Sequence, residues 1–168
     1  IGNNNNDGLS EDAPLKTIQY ALSSVLVDSL NHHNIYIDSG LYSPSSNGEF
    51  FPVSVVDYVS LIGKSKENVI LDAENTAGVM RIYGVENTII SNFTLTNGNA
   101  HIRGGGIHCQ ESNPILSNLI IKDNYAEQGG GMNFIDSSPL LVNVIITGNS
   151  AKFFGGISTG LSVVIINR

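Results

Sequence analysis

Apolar residues in this chain come in short, β-branched runs separated by Asn, Gly, Ser or Pro. Examples are VSLIGKSKENVILD at 59–72, TIISNFTLTNG at 88–98 and NPILSNLIIKDN at 113–124. Runs this brief, without helical spacing, predict β-strands bounded by turns. They also recur. Residues 104–128 (GGGIHCQESNPILSNLIIKDNYAEQ) and 129–153 (GGGMNFIDSSPLLVNVIITGNSAKF) align without a gap and share eleven of 25 positions. A third copy opens as FGGIS at 154–158. One copy cannot bury its own apolar face, but stacked copies can, each strand pairing with its equivalent one coil away.

Stacking turns equivalent residues into columns. Ile107, Met132 and Ile157 form one; Leu116 with Leu141, Leu119 with Val144 and Ile121 with Ile146 form others. Asn118 aligns with Asn143, and Asn124 with Asn149, which predicts amide ladders along the stack. Asn92 precedes Asn118 by 26 residues, so one residue of slack is expected upstream. The fold read from this pattern is all-β: a right-handed parallel β-helix, a solenoid of about 25 residues per coil, with an N-terminal capping α-helix. It occupies 1–168 as one domain, with a leader and helix over 1–33, irregular coils over 34–103 and regular coils over 104–168. The helix is expected in PLKTIQYALSSVL at 14–26, with Asp12 as N-cap and Pro14 in its first turn. The polar stretch before it reads as a flexible leader. The last run, LSVVIIN, stops partway through a unit, so further coils of a larger protein are expected.

Composition narrows the partners. A net charge of −7, with 8 Lys+Arg against 15 Asp+Glu, disfavours nucleic acid. No apolar run reaches membrane-span length. The single Cys109 excludes an internal disulfide and reads as a small buried apolar residue.

DGLSEDAPLKTIQYAL at 7–22 resembles the opening segment of right-handed β-helix proteins of the pectin-lyase-like superfamily. The two GGG-headed units resemble coils of large secreted bacterial surface proteins. That resemblance implies an extracellular or cell-surface location. It implies a structural or adhesive segment whose partner is a polysaccharide or cell-surface glycan. The superfamily also includes polysaccharide lyases and glycoside hydrolases acting on acidic polysaccharides, and an autotransporter-like passenger domain is a further alternative. The enzyme motifs of such relatives are incomplete here: Asn87-Thr88 is followed by Ile89, Arg81-Ile82 by Tyr83, and Gly106-Ile107-His108 is not G-H-G.

Two groups of residues could carry chemistry. Glu111 and Asp136 lie one repeat apart, and Glu86 joins their column if the slack falls before it. Stacked carboxylates could share Ca²⁺, the one cofactor the sequence suggests; no other is implied. His101 and His108 flank the first Gly triplet, with Arg103 beside them, and could serve as an acid–base pair. Solvated turn residues are the plain alternative for both groups.

Overall fold

Residues one repeat unit apart lie side by side. Ile107 pairs with Met132, and Met132 with Ile157, in parallel register. Leu116, Leu141 and Ile166 do the same on a second sheet. In this computed structural model, which describes residues 2–167, the chain is a parallel β-solenoid of about five turns, roughly 25 residues per turn, with one short helix near the N-terminus.

The helix is α1 (Ile18–Ser24). The strands are β1 (His33–Ile37), β2 (Gly40–Tyr42), β3 (Val53–Ser54), β4 (Val59–Gly63), β5 (Val69–Asp72), β6 (Met80–Tyr83), β7 (Ile89–Thr96), β8 (Ile107–Gln110), β9 (Ile115–Lys122), β10 (Tyr125–Gln128), β11 (Met132–Ile135), β12 (Leu140–Thr147), β13 (Ser150–Phe153), β14 (Ile157–Gly160) and β15 (Ile165–Asn167). They form a long sheet running β1-β4-β7-β9-β12-β15, joined by β2 and β5, a five-stranded sheet β3-β6-β8-β11-β14, and the pair β10-β13.

Inward-facing residues of successive coils make the core. Ile82, Cys109 and Phe134 stack on the five-stranded sheet, and Ile90, Leu116 and Leu141 on the long one, all essentially buried. Each large side chain so buried contributes about 1.5–3 kcal/mol. In the final coil the column residue Ile166 is 62% exposed, against 1% for Leu141.

Polar ladders tie the corners. Asn143 Nδ2 donates to Asn118 Oδ1 at 2.8 Å, and Asn92 Nδ2 to the Gly63 carbonyl at 2.9 Å. All three asparagines have φ between 51° and 66°, a left-handed conformation that Asn tolerates better than most residues. A second column is buried at its centre: Gly98 N–H donates to Asn124 Oδ1 (2.7 Å), and Asn124 Nδ2 to Asn149 Oδ1 (3.0 Å). A serine ladder runs along another corner. The N–H of Val85, Ser112 and Ser137 donate to the hydroxyls of Ser112, Ser137 and Ser162 at 2.8, 3.2 and 3.1 Å.

The N-terminal region departs from expectation in two ways. Helix α1 starts after Thr17, its N-cap, and not after Asp12. The reason is that the leader claims the preceding backbone. Asn4 Oδ1 accepts from the N–H of Lys16 and Thr17, while the Pro14 carbonyl accepts from Asn3 N–H and Asn6 Nδ2. The leader is thus folded back on residues 13–17 and is no loose tail. Glu49, 2% exposed, then accepts from the N–H of Ile18 (2.7 Å) and Gln19 (3.0 Å) and fixes the helix to the stack. Ile18 and Leu22 enter the core, as a lid requires, while Leu26 lies past the helix end and is 88% exposed.

Candidate functional site

Upstream of the regular coils the interval departs from 25 residues, and two single-residue excesses, ahead of β7 and ahead of β8, lie beside clefts. Between β6 and β8 equivalent residues are 27 apart, as in Met80 and Ile107. Between β7 and β9 the interval is 26, as in Ile90 and Leu116, and below β8 and β9 it is 25. One residue is therefore extra in the corner after β6 and one more in the corner before β8.

The second insertion can be placed closely. Asn99 pairs with Tyr125 and Arg103 with Gln128, so four steps on the upper coil face three on the lower. Ladder bonds use Ala100 N–H (to Tyr125 O, 2.9 Å) and Ile102 O (from Gln128 N–H, 2.9 Å) and step over His101. This is a β-bulge, a device that re-aims side chains and often borders functional sites. Here it turns exposed His101, Ile102 and Arg103 toward β8. Together with His108, Thr76 and Gly78 they line an open cleft of about 490 Å³. The structure thus brings together His101, Arg103 and His108, three residues singled out from the sequence.

His108 sits in an outward column of the five-stranded sheet: Arg81, His108 and Asn133 are direct partners on β6, β8 and β11. Burial holds the His108 imidazole below its usual pKa. Asn133 acts against this, and the positive charges of Arg103 and Arg81 add to it. Asn133 acts by proximity and not through a formed bond, since His108 Nδ1 and Asn133 Oδ1 are both buried without a partner. The next outward column holds Tyr83, 58% exposed, beside Gln110 and Ile135. Spacing gave no reason to select Tyr83; its exposure on a flat strand face does so.

The first insertion carries Glu86. Because the register here is 27 residues, Gly84 and not Glu86 stands in the column of Glu111 and Asp136. Gly84 N–H donates to Gln110 O, just as Glu111 and Asp136 N–H donate to Ile135 and Gly160 O, each at 3.0 Å. All three have φ near +50° to +60°. The expected three-carboxylate column is corrected to two exposed residues, Glu111 and Asp136. Glu86 instead shares a second cleft with Glu111, His32 and Asn113. Its own N–H is held by Asp57 Oδ1 at 2.8 Å. Among the described residues no group of three or more His, Cys, Asp or Glu gathers as a metal site.

A family model described as a protein of unknown function (DUF1565) matches residues 1–70. That stretch holds the leader, α1 and the strands as far as the start of β5; it contributes His32 to the second cleft and nothing to the first. No curated protein and no solved structure matches the chain. Among the described residues no helix is long and apolar enough to cross a membrane.

The two clefts lie at opposite ends of β8, and the outward face between them carries Arg81, Tyr83, His108 and Gln110. Such a face offers an aromatic platform flanked by donors and acceptors, suited to a flat polar ligand laid along the strands. The sole cysteine is no part of it: Cys109 is buried, and burial pushes its thiol up to about 11.

Proposed function

We propose that this chain is a non-catalytic β-helix segment of a secreted or cell-surface protein, and that the outward face of its five-stranded sheet binds carbohydrate. The observation that carries the reading is the bulge at 99–103, which sets His101 and Arg103 beside a strand face of exposed Arg81 and Tyr83 and half-buried His108 and Gln110. Sugar rings stack on exposed aromatics and exchange hydrogen bonds with planar polar side chains, so Tyr83 is the platform and Gln110, Arg81 and His108 the polar contacts. The rigid stack supplies spacing and a preformed surface.

Affinity electrophoresis of the folded chain through gels containing neutral or acidic polysaccharides tests this. Retardation by at least one polymer, weakened by Tyr83→Ala, is the expected result. Migration unaltered by every polymer would remove the carbohydrate-binding reading.

A lyase is the competing reading, favoured by the cleft that Glu86 and Glu111 share. Release of unsaturated ends from an acidic polymer, dependent on Ca²⁺ and abolished by Glu111→Gln with Asp136→Asn, would replace the non-catalytic reading with that one.

A further inference from the structure

The chain is acidic overall, at −7, yet positive groups collect at one place on it. The sequence has three arginines, and two of them, Arg81 and Arg103, lie close enough to His108 for their charges to act on it. His101 and Arg103 line the same cleft as His108. Neither guanidinium is spent on a carboxylate: among the described residues the ion pairs use Lys64, Lys122 and Lys152. Arg81 reaches Ser54 Oγ at a long 3.4 Å, and Glu127, an acid close enough for the His101 charge to act on it, is held by Lys152. The backbone around the cleft is also closely fitted. Gly104, with φ +63°, lies where a Cβ would fall 2.7 Å from His108 Cα, so the chain wraps tightly against His108 and keeps Arg103 next to it.

We infer that this cleft is an oxyanion site, which takes a carboxylate or sulfate substituent of a glycan lying on the β6-β8-β11 face. The inference rests on the carbohydrate reading above and specifies its ligand. A guanidinium presents a planar fork of donors that matches a carboxylate or sulfate edge. Arg103 lines the cleft from the bulge, and Arg81 stands beside His108 on the adjacent strand, so both guanidiniums border His108. His101 at the rim and His108 at the floor are further donors when their nitrogens carry a proton. The surrounding negative surface repels free polyanions at long range. Selectivity therefore comes from short-range contacts inside the cleft, and a compact, locally charged substituent on a ligand bound by its neutral parts fits better than a densely charged polymer.

Binding of the whole chain to lightly carboxymethylated dextran (carboxylate), lightly sulfated dextran (sulfate) and dextran (neutral) tests this, read by biolayer interferometry. His108 ring signals are followed by NMR in parallel. The acidic polymers are expected to bind at least about tenfold more tightly than dextran and to shift the His108 signals. Arg103→Gln should weaken them about tenfold, the size of one lost charge-assisted contact, without altering dextran binding, and Arg81→Gln should weaken them by a larger factor than it weakens dextran. Both side chains are exposed, so circular dichroism of the variants should be unchanged. Equal binding of neutral and acidic polymers would overturn the oxyanion site and leave the carbohydrate reading standing. Acid-selective binding that survives in the double variant would also overturn it. Complete displacement by millimolar inorganic phosphate would assign the cleft to a free anion and overturn the glycan substituent. Binding to none of the polymers would overturn both readings.

Discussion

His108 and Asn133 stand opposite each other on β8 and β11, and each keeps one buried polar atom, Nδ1 and Oδ1, without a hydrogen-bond partner. Replacing His108 with Asn would continue the column as a second amide. It would also remove the one titrating group in that column. Burial lowers the His108 pKa in the folded state, so below the ordinary value of about 6.5 the unfolded chain binds the extra proton and stability falls with pH. The stabilising share is complete above that value and is lost as pH drops through it. His108→Asn is therefore expected to raise the urea midpoint at pH 5.5 relative to the parent, with a smaller difference at pH 7.5. A difference of equal size at both pH values would show that His108 does not titrate in this way.

The serine ladder makes a second prediction. Ser137 Oγ accepts from the buried N–H of Ser112 and itself donates to Ile135 O at 2.7 Å. Ser137→Ala leaves a buried donor unsatisfied, at a cost of about 1–3 kcal/mol. Ser162→Ala, on the exposed last coil, should cost less because water replaces the hydroxyl. Paired urea denaturation curves measure both.

Two glycines separate steric from conformational strain. A Cβ on Gly98 would lie 2.0 Å from the Gly105 carbonyl oxygen, backbone that cannot give way. A Cβ on Gly84 meets nothing within 4 Å, but φ there is +60°. Gly98→Ala should cost more than about 4 kcal/mol or prevent folding, and Gly84→Ala about 1–2 kcal/mol. Expression and thermal melts decide; the reverse order would contradict the coil spacing.

Glu49 anchors the lid. Glu49→Ala strips two helix N–H groups of their acceptor and should cost about 2–4 kcal/mol; Glu49→Gln keeps one acceptor and should cost less. Burial, the largest influence on it, raises the Glu49 pKa above its usual value. The folded state then holds a proton more tightly, and the stability Glu49 lends falls as pH rises through the raised value. The deficit of Glu49→Gln against the parent should narrow between pH 4 and pH 7 in denaturant melts.

Cys109 should be inert in the native chain. Its thiol is buried and pushed up to about 11, so a disulfide reagent at pH 8 should react on the time scale of unfolding and promptly in urea. Fast labelling without denaturant would mean that the coil carrying β8 opens readily.

What the sequence made legible follows from repetition. Copies at 104–128 and 129–153 reuse the same neighbours, so one alignment fixes register, core columns and both asparagine ladders. Where coils differ, that information is lost. The Glu86 register depended on two single-residue insertions whose positions no spacing could locate. The start of α1 depended on Asn4, and its anchoring on Glu49, residues brought together over distances of 12 and 31 positions by folding alone. Tyr83 and Arg81 gain significance only from the face they share with His108. The serine column was visible as Ser112, Ser137 and Ser162 at constant spacing, but serine at a turn gives no sign that it is buried.

The bulge at 99–103 lengthens one coil without disturbing the next: Ile107 and Met132 resume the regular interval at once. Each coil behaves as a line of text whose margin is reset below it. Residues could be added at that margin, to reshape the cleft or graft a different loop, while every line beneath stays in alignment. Variation in recognition is thereby uncoupled from the stability of the column that displays it.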